Sequence, residues 1–287
     1  MHLLLVFLSL IGSSVAGLFG HQIGFHGSII VIRSCTFLSL LISFFAYYEV
    51  NLNNCFVYIK LIEEINLGIV QVDIGFMFDN LTVVMCCIIN LISFLLNNYL
   101  SEYMSHDPYL PRLMSKLSSF TFFMLVLVTS DNFLQMFIGW KGVNFYSSLL
   151  IPVWFTKISM HNVTVKRVLF INRIGDYCLL MGIFLISDCF KSVDYRTVES
   201  LAPYIVDFNR LDIIGLFLFL GVVGKLVMLE IHTWIPDVMA KEEPTPDSLL
   251  IHAATLVIQG LFLLSRCYFI FKYNSGVLFY LSILGPI

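Results

Sequence analysis

Long apolar runs alternate with short polar stretches along the whole chain. About 20 apolar residues of helix are needed to cross a hydrocarbon core of about 30 Å, so each run of that length predicts a transmembrane helix. The pattern therefore predicts an all-α polytopic membrane protein with about eight transmembrane helices. Two runs overlap, and the boundary between them stays open. The runs lie near residues 2–19, 27–49, 78–100, 117–137, 133–155, 165–190, 211–231 and 248–272.

A shorter apolar run closes the sequence at residues 276–287. Its residues would form only about 18 Å of helix, less than the thickness of the hydrocarbon core. We interpret it as the start of a ninth helix. No low-complexity linker divides the chain, so a single membrane domain over residues 1–287 is expected.

Composition supports the membrane assignment. Hydrophobic residues make up 59% of the chain and charged residues 12%, and the mean hydropathy is +0.89. Membrane lipids are therefore expected neighbours. The net charge of -3 argues against a nucleic-acid partner. The seven cysteines show no C-x-x-C spacing, which favours packing roles over an iron-sulfur cluster, a metal site or disulfides.

Lys225 interrupts the apolar run of residues 213–229. A charged side chain at the bilayer centre costs about 3 kcal/mol even on insertion scales, so it needs a partner, a water-filled cavity or a role in moving charge. His232 follows seven residues later, about 10.5 Å along the same face of a helix, which suits a water-bridged proton relay. Gly224 and Pro236 favour a break in this helix, and broken helices in membranes line protein or water.

Other ionisable residues also fall inside apolar runs. Lys141 follows Trp140 and is a functional candidate by default. Arg173 and Asp176 are three residues apart, so mutual neutralisation on one helix face is the favoured interpretation. Lys166, seven residues before Arg173, suggests a basic stripe near a membrane boundary. His252 suits a capped helix end and a proton relay equally well.

Several pieces of the sequence carry a family resemblance. They are similar to the subunit 5 family of mitochondrial NADH:ubiquinone oxidoreductase, respiratory complex I, and further matches at residues 10–17 and 192–195 extend the resemblance over nearly the whole chain. The pieces are residues 102–112 (EYMSHDPYLPR), 120–140 (FTFFMLVLVTSDNFLQMFIGW), 172–176 (NRIGD), 232–237 (HTWIPD), 244–246 (PTP) and 252–255 (HAAT).

The resemblance implies an antiporter-like helical bundle built from two inverted five-helix repeats with broken helices. The chain corresponds to the N-terminal portion and the first inverted repeat only. A separate chain carrying the C-terminal part of the subunit is therefore an expected partner, and a truncated subunit is the alternative. The implied location is the mitochondrial inner membrane, which the chain would cross several times beside other membrane-arm subunits of complex I.

The function implied by the resemblance is a proton-translocation half-channel coupled to NADH:ubiquinone electron transfer. The chain would be a non-redox subunit that binds no cofactor, with NADH, FMN, iron-sulfur clusters and ubiquinone held by other subunits. Two alternatives remain open. One is a structural subunit that no longer pumps, and the other, less favoured, is a cation/proton antiporter subunit.

The family's proton path pairs a glutamate in a Gly-Trp-Glu-Gly motif with a lysine on a later helix. Lys225 matches that lysine, and His232 and His252 match the polar axis that follows it. Lys141 stands where the family has the glutamate, so two ammonium groups would repel each other. Either one of them would then be neutral or both would draw counterions. The supporting ionic residues are Asp131, Lys166, Arg173, Asp176 and Asp237.

Glu230 is a second possible source of the missing carboxylate. It follows Lys225 by five residues, which places it about 140° around an ideal helix. A break between the two residues would be needed to bring them together, so this pairing is disfavoured.

Overall fold

The computed structural model describes residues 1–66, 71–105, 109–150, 158–204, 208–226 and 257–273, and helices account for most of them. The helices are α1 (His2–Leu18), α2 (Gly20–Tyr47), α3 (Asn80–Tyr103), α4 (Leu110–Val128), α5 (Phe133–Leu150), α6 (Ile158–Phe190), α7 (Tyr195–Leu201), α8 (Phe208–Leu226), α9 (Val257–Arg266) and α10 (Tyr268–Lys272). A π-helical turn, Tyr48–Leu52, extends α2, and a 3₁₀ turn, Ala202–Tyr204, follows α7.

Each of the eight apolar runs overlaps at least one helix. The overlapping fourth and fifth runs are separated by residues 129–132, where α4 ends and α5 begins. Within the described residues, three helical stretches are both long and apolar enough to cross a membrane: Gly20–Leu52, Asn80–Tyr103 and Leu110–Val128. The shorter α1 is also apolar. The chain is therefore a mostly helical membrane protein, and the count of eight spans stays a prediction.

A two-stranded sheet departs from the all-α prediction. Strand β1 is Val57–Asn66 and strand β2 is Gln71–Phe78. The sequence pattern missed them because a window of about twenty residues averages over strands of 3 to 10 residues. A Cβ on Gly75 would lie 3.1 Å from the carbonyl oxygen of Ile59, so the close approach of the two strands favours glycine there.

The described structure divides into two compact units. The first contains Met1–Lys60, Gly75–Ser130 and Ile138–Thr156, and the second contains Leu61–Ile74, Asp131–Phe137 and Lys157–Ile287. In the first unit α1 packs on α2 and α4, and α2 packs on α3. In the second unit α8 packs on α6 and α9.

Small polar side chains mediate the helix contacts of the first unit. The hydroxyl groups of Ser115 and Ser118 on α4 each donate a hydrogen bond, 2.8 Å long, to the carbonyl oxygens of Ser13 and Ser9 on α1. Serine at helix contacts is typical of membrane proteins, because small side chains let backbones approach and hydroxyls bridge them.

Candidate functional site

Lys225 is the next-to-last described residue of α8. Just before it, α8 meets α6 at glycines: a Cβ on Gly224 would lie 3.2 Å from the Cα of Gly175. One turn earlier, a Cβ on Gly221 would lie 3.4 Å from the carbonyl oxygen of Gly175. Only residues without side chains permit so close an approach of two helix backbones. The part of α8 that leads into Lys225 therefore packs directly on α6.

Asp176 is the ionisable residue of α6 at this contact. It follows Gly175 directly, and only 4% of its surface is exposed, whereas Arg173, one turn earlier, is exposed. Gly175 touches Gly224. Asp176 and Lys225 directly follow these two glycines, so the backbone places a carboxylate residue and a lysine at about the same level of the α6–α8 contact. The predicted neutralisation between Arg173 and Asp176 thus joins one exposed and one buried residue.

Lys141 lies on α5 in a motif that packs against α4. A Cβ on Gly139 would lie 2.7 Å from the backbone of Leu127, and a Cβ on Gly142 would overlap the Phe123 ring. These two glycines therefore fix one face of α5 against α4, and Lys141 between them is exposed. Lys141 belongs to the first unit and Lys225 to the second. Their predicted opposition stays a prediction.

Of the other candidate residues, two lie in the described part of the chain and four lie outside it. Asp131 is buried and lies in the segment that connects α4 to α5. Its carbonyl oxygen accepts a hydrogen bond of 3.4 Å from the backbone amide of Tyr195. Its neighbour Asn132 caps α5 by accepting a bond of 2.8 Å from the Gln135 backbone amide, which is an anchoring role for this segment. Lys166 lies within α6. His232, Asp237, His252 and Glu230 lie outside the described residues.

Sequence reasoning missed Gln259 on α9, the helix that packs on α8. Its side chain is fully buried, and among the described residues neither amide atom has a hydrogen-bond partner. A buried amide without partners is costly, so it marks a place where water or a mobile group is expected. The signal that could have found it is its spacing of seven residues from His252, which in a continuous helix is one face.

Two buried amides on α3 were missed as well. Asn90 and Asn97 are 1% and 0% exposed, and they lie seven residues apart on the face toward α2. The hydroxyl group of Ser39 on α2 donates a hydrogen bond of 3.3 Å to the side-chain oxygen of Asn90. In the part of the chain that the structure describes, no three His, Cys, Asp or Glu side chains gather as a metal site.

Comparison with known proteins gives two matching families. One, described as NADH:quinone oxidoreductase/Mrp antiporter, transmembrane, matches residues 130–287. The other, described as NADH-ubiquinone oxidoreductase (complex I), chain 5 N-terminus, matches residues 65–114. The chain 5 N-terminus match lies in the first half of the chain, and the antiporter match covers the second half.

Individual relatives align with the chain over its length. NADH-ubiquinone oxidoreductase chain 5 of Triticum aestivum is 43% identical over 293 residues, which are 99% of this chain and 43% of the relative. The chain 5 of Chondrus crispus is 43% identical over 100% of this chain and 44% of its own length. That of Mycosarcoma maydis is 44% identical over 100% of this chain and 42% of its own length. The chain thus spans less than half the length of these curated relatives.

Solved structures share the fold at low sequence identity. The Mrp complex from Dietzia sp. aligns with a TM-score of 0.73 and 19% identity, over 91% of this chain and 27% of that one. The membrane-bound sulfane sulfur reductase, an archaeal respiratory membrane complex, aligns with a TM-score of 0.76 and 17% identity, over 98% of this chain and 55% of that one. The antiporter-like fold expected from the sequence is confirmed by these neighbours.

Proposed function

The chain belongs to the NADH:quinone oxidoreductase/Mrp antiporter family, and we propose that it is part of the chain 5 subunit in the membrane arm of respiratory complex I. There it contributes a proton-translocation half-channel coupled to NADH:ubiquinone electron transfer. The observation that carries this proposal is the alignment of 99% of the chain with chain 5 of Triticum aestivum at 43% identity. The mitochondrial inner membrane and the other membrane-arm subunits are the proposed surroundings. Electron transfer itself takes place in other subunits.

Lys225 is the proposed proton carrier. An ammonium group in an apolar helix is stabilised only by a nearby anion or by water, so its protonation responds to the charge beside it. The glycine contact between α6 and α8 supports this role because it leaves Lys225 little freedom to move with its helix. His232 and His252 are proposed to pass the proton onward through water, since imidazole gains and loses protons near neutral pH.

Asp176 is the proposed counterion of Lys225. In the family this charge comes from a glutamate at the position of Lys141, and here Lys141 is exposed on α5. Asp176 is buried and follows the glycine that touches α8. A buried carboxylate favours the protonated amine nearby, and weakening this interaction releases the proton. The half-channel therefore retains a carboxylate for its lysine although residue 141 has changed.

The experiment compares two lysines in the assembled complex. In proteoliposomes, Lys225→Ala should lower the number of protons translocated per electron, while Lys272→Ala, an exposed lysine at the end of α10, should leave it unchanged. An unchanged ratio for Lys225→Ala would favour the structural subunit that no longer pumps. Mass spectrometry of the same preparation tests the predicted second chain, which should copurify if a separate polypeptide completes the subunit.

A further inference from the structure

His2 and Glu49 form a polar pair at one end of the first unit. His2 begins α1, and Glu49 lies in the π-helical turn that follows α2. The His2 residue is only 9% exposed, whereas the side chain of Glu49 is 53% exposed. One member of the pair therefore faces the interior of the helix bundle and the other reaches its surroundings.

The two side chains are close but do not share a hydrogen bond. The Nε2 atom of His2 lies 3.5 Å from the Oε2 atom of Glu49. This distance is longer than the roughly 2.7 to 3.2 Å of an N–H···O hydrogen bond. Among the described residues, Nε2 has no hydrogen-bond partner. The Phe78 ring, with its centroid 5.0 Å from that of the imidazole, packs beside the His2 ring and limits its rotation.

A cavity of about 20 Å³ opens between these groups. A cavity of roughly 10 to 15 Å³ in this measure is enough for one water molecule, provided that polar partners line it. Its lining supplies two such partners in an otherwise apolar wall, and it is formed by Met1, His2, Ile42, Phe45, Ala46 and Glu49. The size of the cavity and the unpartnered nitrogen thus point to the same ligand.

The pair lies near the end of an apolar stretch, since Glu49 is three residues before the end of Gly20–Leu52, which is long and apolar enough to cross a membrane. Tyr47 and Tyr48 directly precede Glu49 and are 39% and 59% exposed. Exposed tyrosines beside the end of an apolar helix mark the membrane–water interface. The carboxylate of Glu49 can therefore exchange protons with the aqueous phase, while His2 lies just inside the helix bundle.

We propose that a water molecule bridges His2 and Glu49 and that the three groups form a proton-exchange site at the membrane surface of the first unit. A proton from bulk water moves through Glu49 and the bridging water to Nε2 of the neutral imidazole, and the imidazolium returns it by the same route. No electrons are transferred. The charged groups that act on the imidazole are Glu49 and the amino group of Met1.

The first test is the position of the water in the assembled complex, at a resolution that shows ordered solvent. Electron density for a water within about 3.2 Å of both Nε2 of His2 and the Glu49 carboxylate supports the proposal. A direct imidazole–carboxylate bond with no water between the groups would overturn it. This test does not depend on pumping or on any variant.

The second test rests on the proposed function, because it uses proton translocation by the complex in liposomes as a function of pH. His2→Gln and Glu49→Gln should each remove one inflection between about pH 5 and 8, where histidine titrates. His26→Gln, an exposed histidine on α2, should keep it. If the unaltered complex pumps and the His2→Gln profile still matches it, the exchange site is wrong while the half-channel stands.

Ala46→Leu separates the water from the two titrating groups. Ala46 lines the cavity and is 3% exposed, so a larger side chain fills the space of the water while His2 and Glu49 stay in place. The same inflection should disappear. Retention of the inflection in Ala46→Leu, together with its loss in His2→Gln, would show exchange without a bridging water and contradict the proposal.

Discussion

The α2–α3 contact of the first unit is built around polar side chains, whereas the α6–α8 contact of the second joins backbone to backbone at glycines. In the first, Asn90 accepts a hydrogen bond from Ser39, and Arg33 donates to the hydroxyl group of Ser101. In the second, Gly224 and Gly175 are so close that a Cβ on Gly224 would lie 3.2 Å from the Cα of Gly175. Both are contacts between apolar helices, yet they hold polar groups in different ways.

The difference separates packing from function. The hydroxyl groups on α2 are largely satisfied by their own helix, since Ser39 and Ser43 donate bonds of 2.8 and 2.7 Å to the carbonyl oxygens of Thr36 and Leu40. Such side chains are small enough to pack and carry no charge to move. At the α6–α8 contact the buried polar group is a carboxylate, Asp176. Both contacts thus hold an ionisable residue, Arg33 in the first and Asp176 in the second, and Asp176 is the one that follows a glycine of the backbone contact.

Asp176→Ala should have the largest effect on this contrast. In the proposed pairing with Lys225, removing the buried carboxylate of Asp176 leaves the ammonium without its counterion, which for a buried pair costs about 3 to 5 kcal/mol. Thermal unfolding of the complex should therefore shift to lower temperature, and proton translocation should fall. Arg173→Ala, three residues earlier and exposed, should change stability by no more than about 0.5 kcal/mol. Equal effects of the two variants would contradict the assignment of Asp176.

The sequence predicted the helices better than the contacts between them. Runs of apolar residues identify helices because burial in lipid requires length and hydropathy, both of which are local properties. The same averaging hid the strands near Gly75. Lys225 could be found because a charge in an apolar run is unusual, but the meeting of Gly175 with Gly224 joins residues that are far apart in the chain. From the sequence alone Asp176 pairs with Arg173, its sequence neighbour, and that pairing stays a prediction.

Gly224→Ala tests the backbone contact itself. The added carbon would lie 3.2 Å from the Cα of Gly175, so the helices must separate by a few tenths of an ångström, at a cost of about 1 to 3 kcal/mol. Gly20→Ala is the matched control, since a Cβ there has no neighbour within 4 Å. Unfolding of the solubilised complex should distinguish them. A Gly224→Ala complex as stable as the Gly20→Ala complex would mean that the glycine contact is not tight.

A pair of leucine substitutions on α3 sharpens the other side of the comparison. Asn90→Leu removes one of the two acceptors that share the Ser39 hydroxyl proton, the other being the carbonyl oxygen of Thr36, and should destabilise the complex by about 0.5 to 1.5 kcal/mol. Asn97→Leu removes two amide atoms that have no partner among the described residues, so it should be neutral or stabilising. Unfolding midpoints measured side by side give the order. The reverse order would show that Asn97 makes the more important interaction.

Lys141→Glu should have the smallest effect on stability, below about 0.5 kcal/mol, because the residue is exposed on α5. The substitution restores the Gly-Trp-Glu-Gly pattern of the family. If Asp176 already supplies the carboxylate, the number of protons translocated per electron should not change. A rise in this ratio would show that the path needs a carboxylate at residue 141 and that Asp176 does not replace it.

The most direct measurement is a double-mutant cycle between Asp176 and Lys225, with Asp176→Asn, Lys225→Ala and the double variant, monitored by the rate of proton translocation per complex. Two residues that act on each other give effects that are not additive, with a coupling of about 0.5 to 3 kcal/mol. Our account predicts that the double variant is no slower than Lys225→Ala alone. Additive losses, with each residue acting independently, would contradict the claim that the α6–α8 contact makes Asp176 the counterion of Lys225.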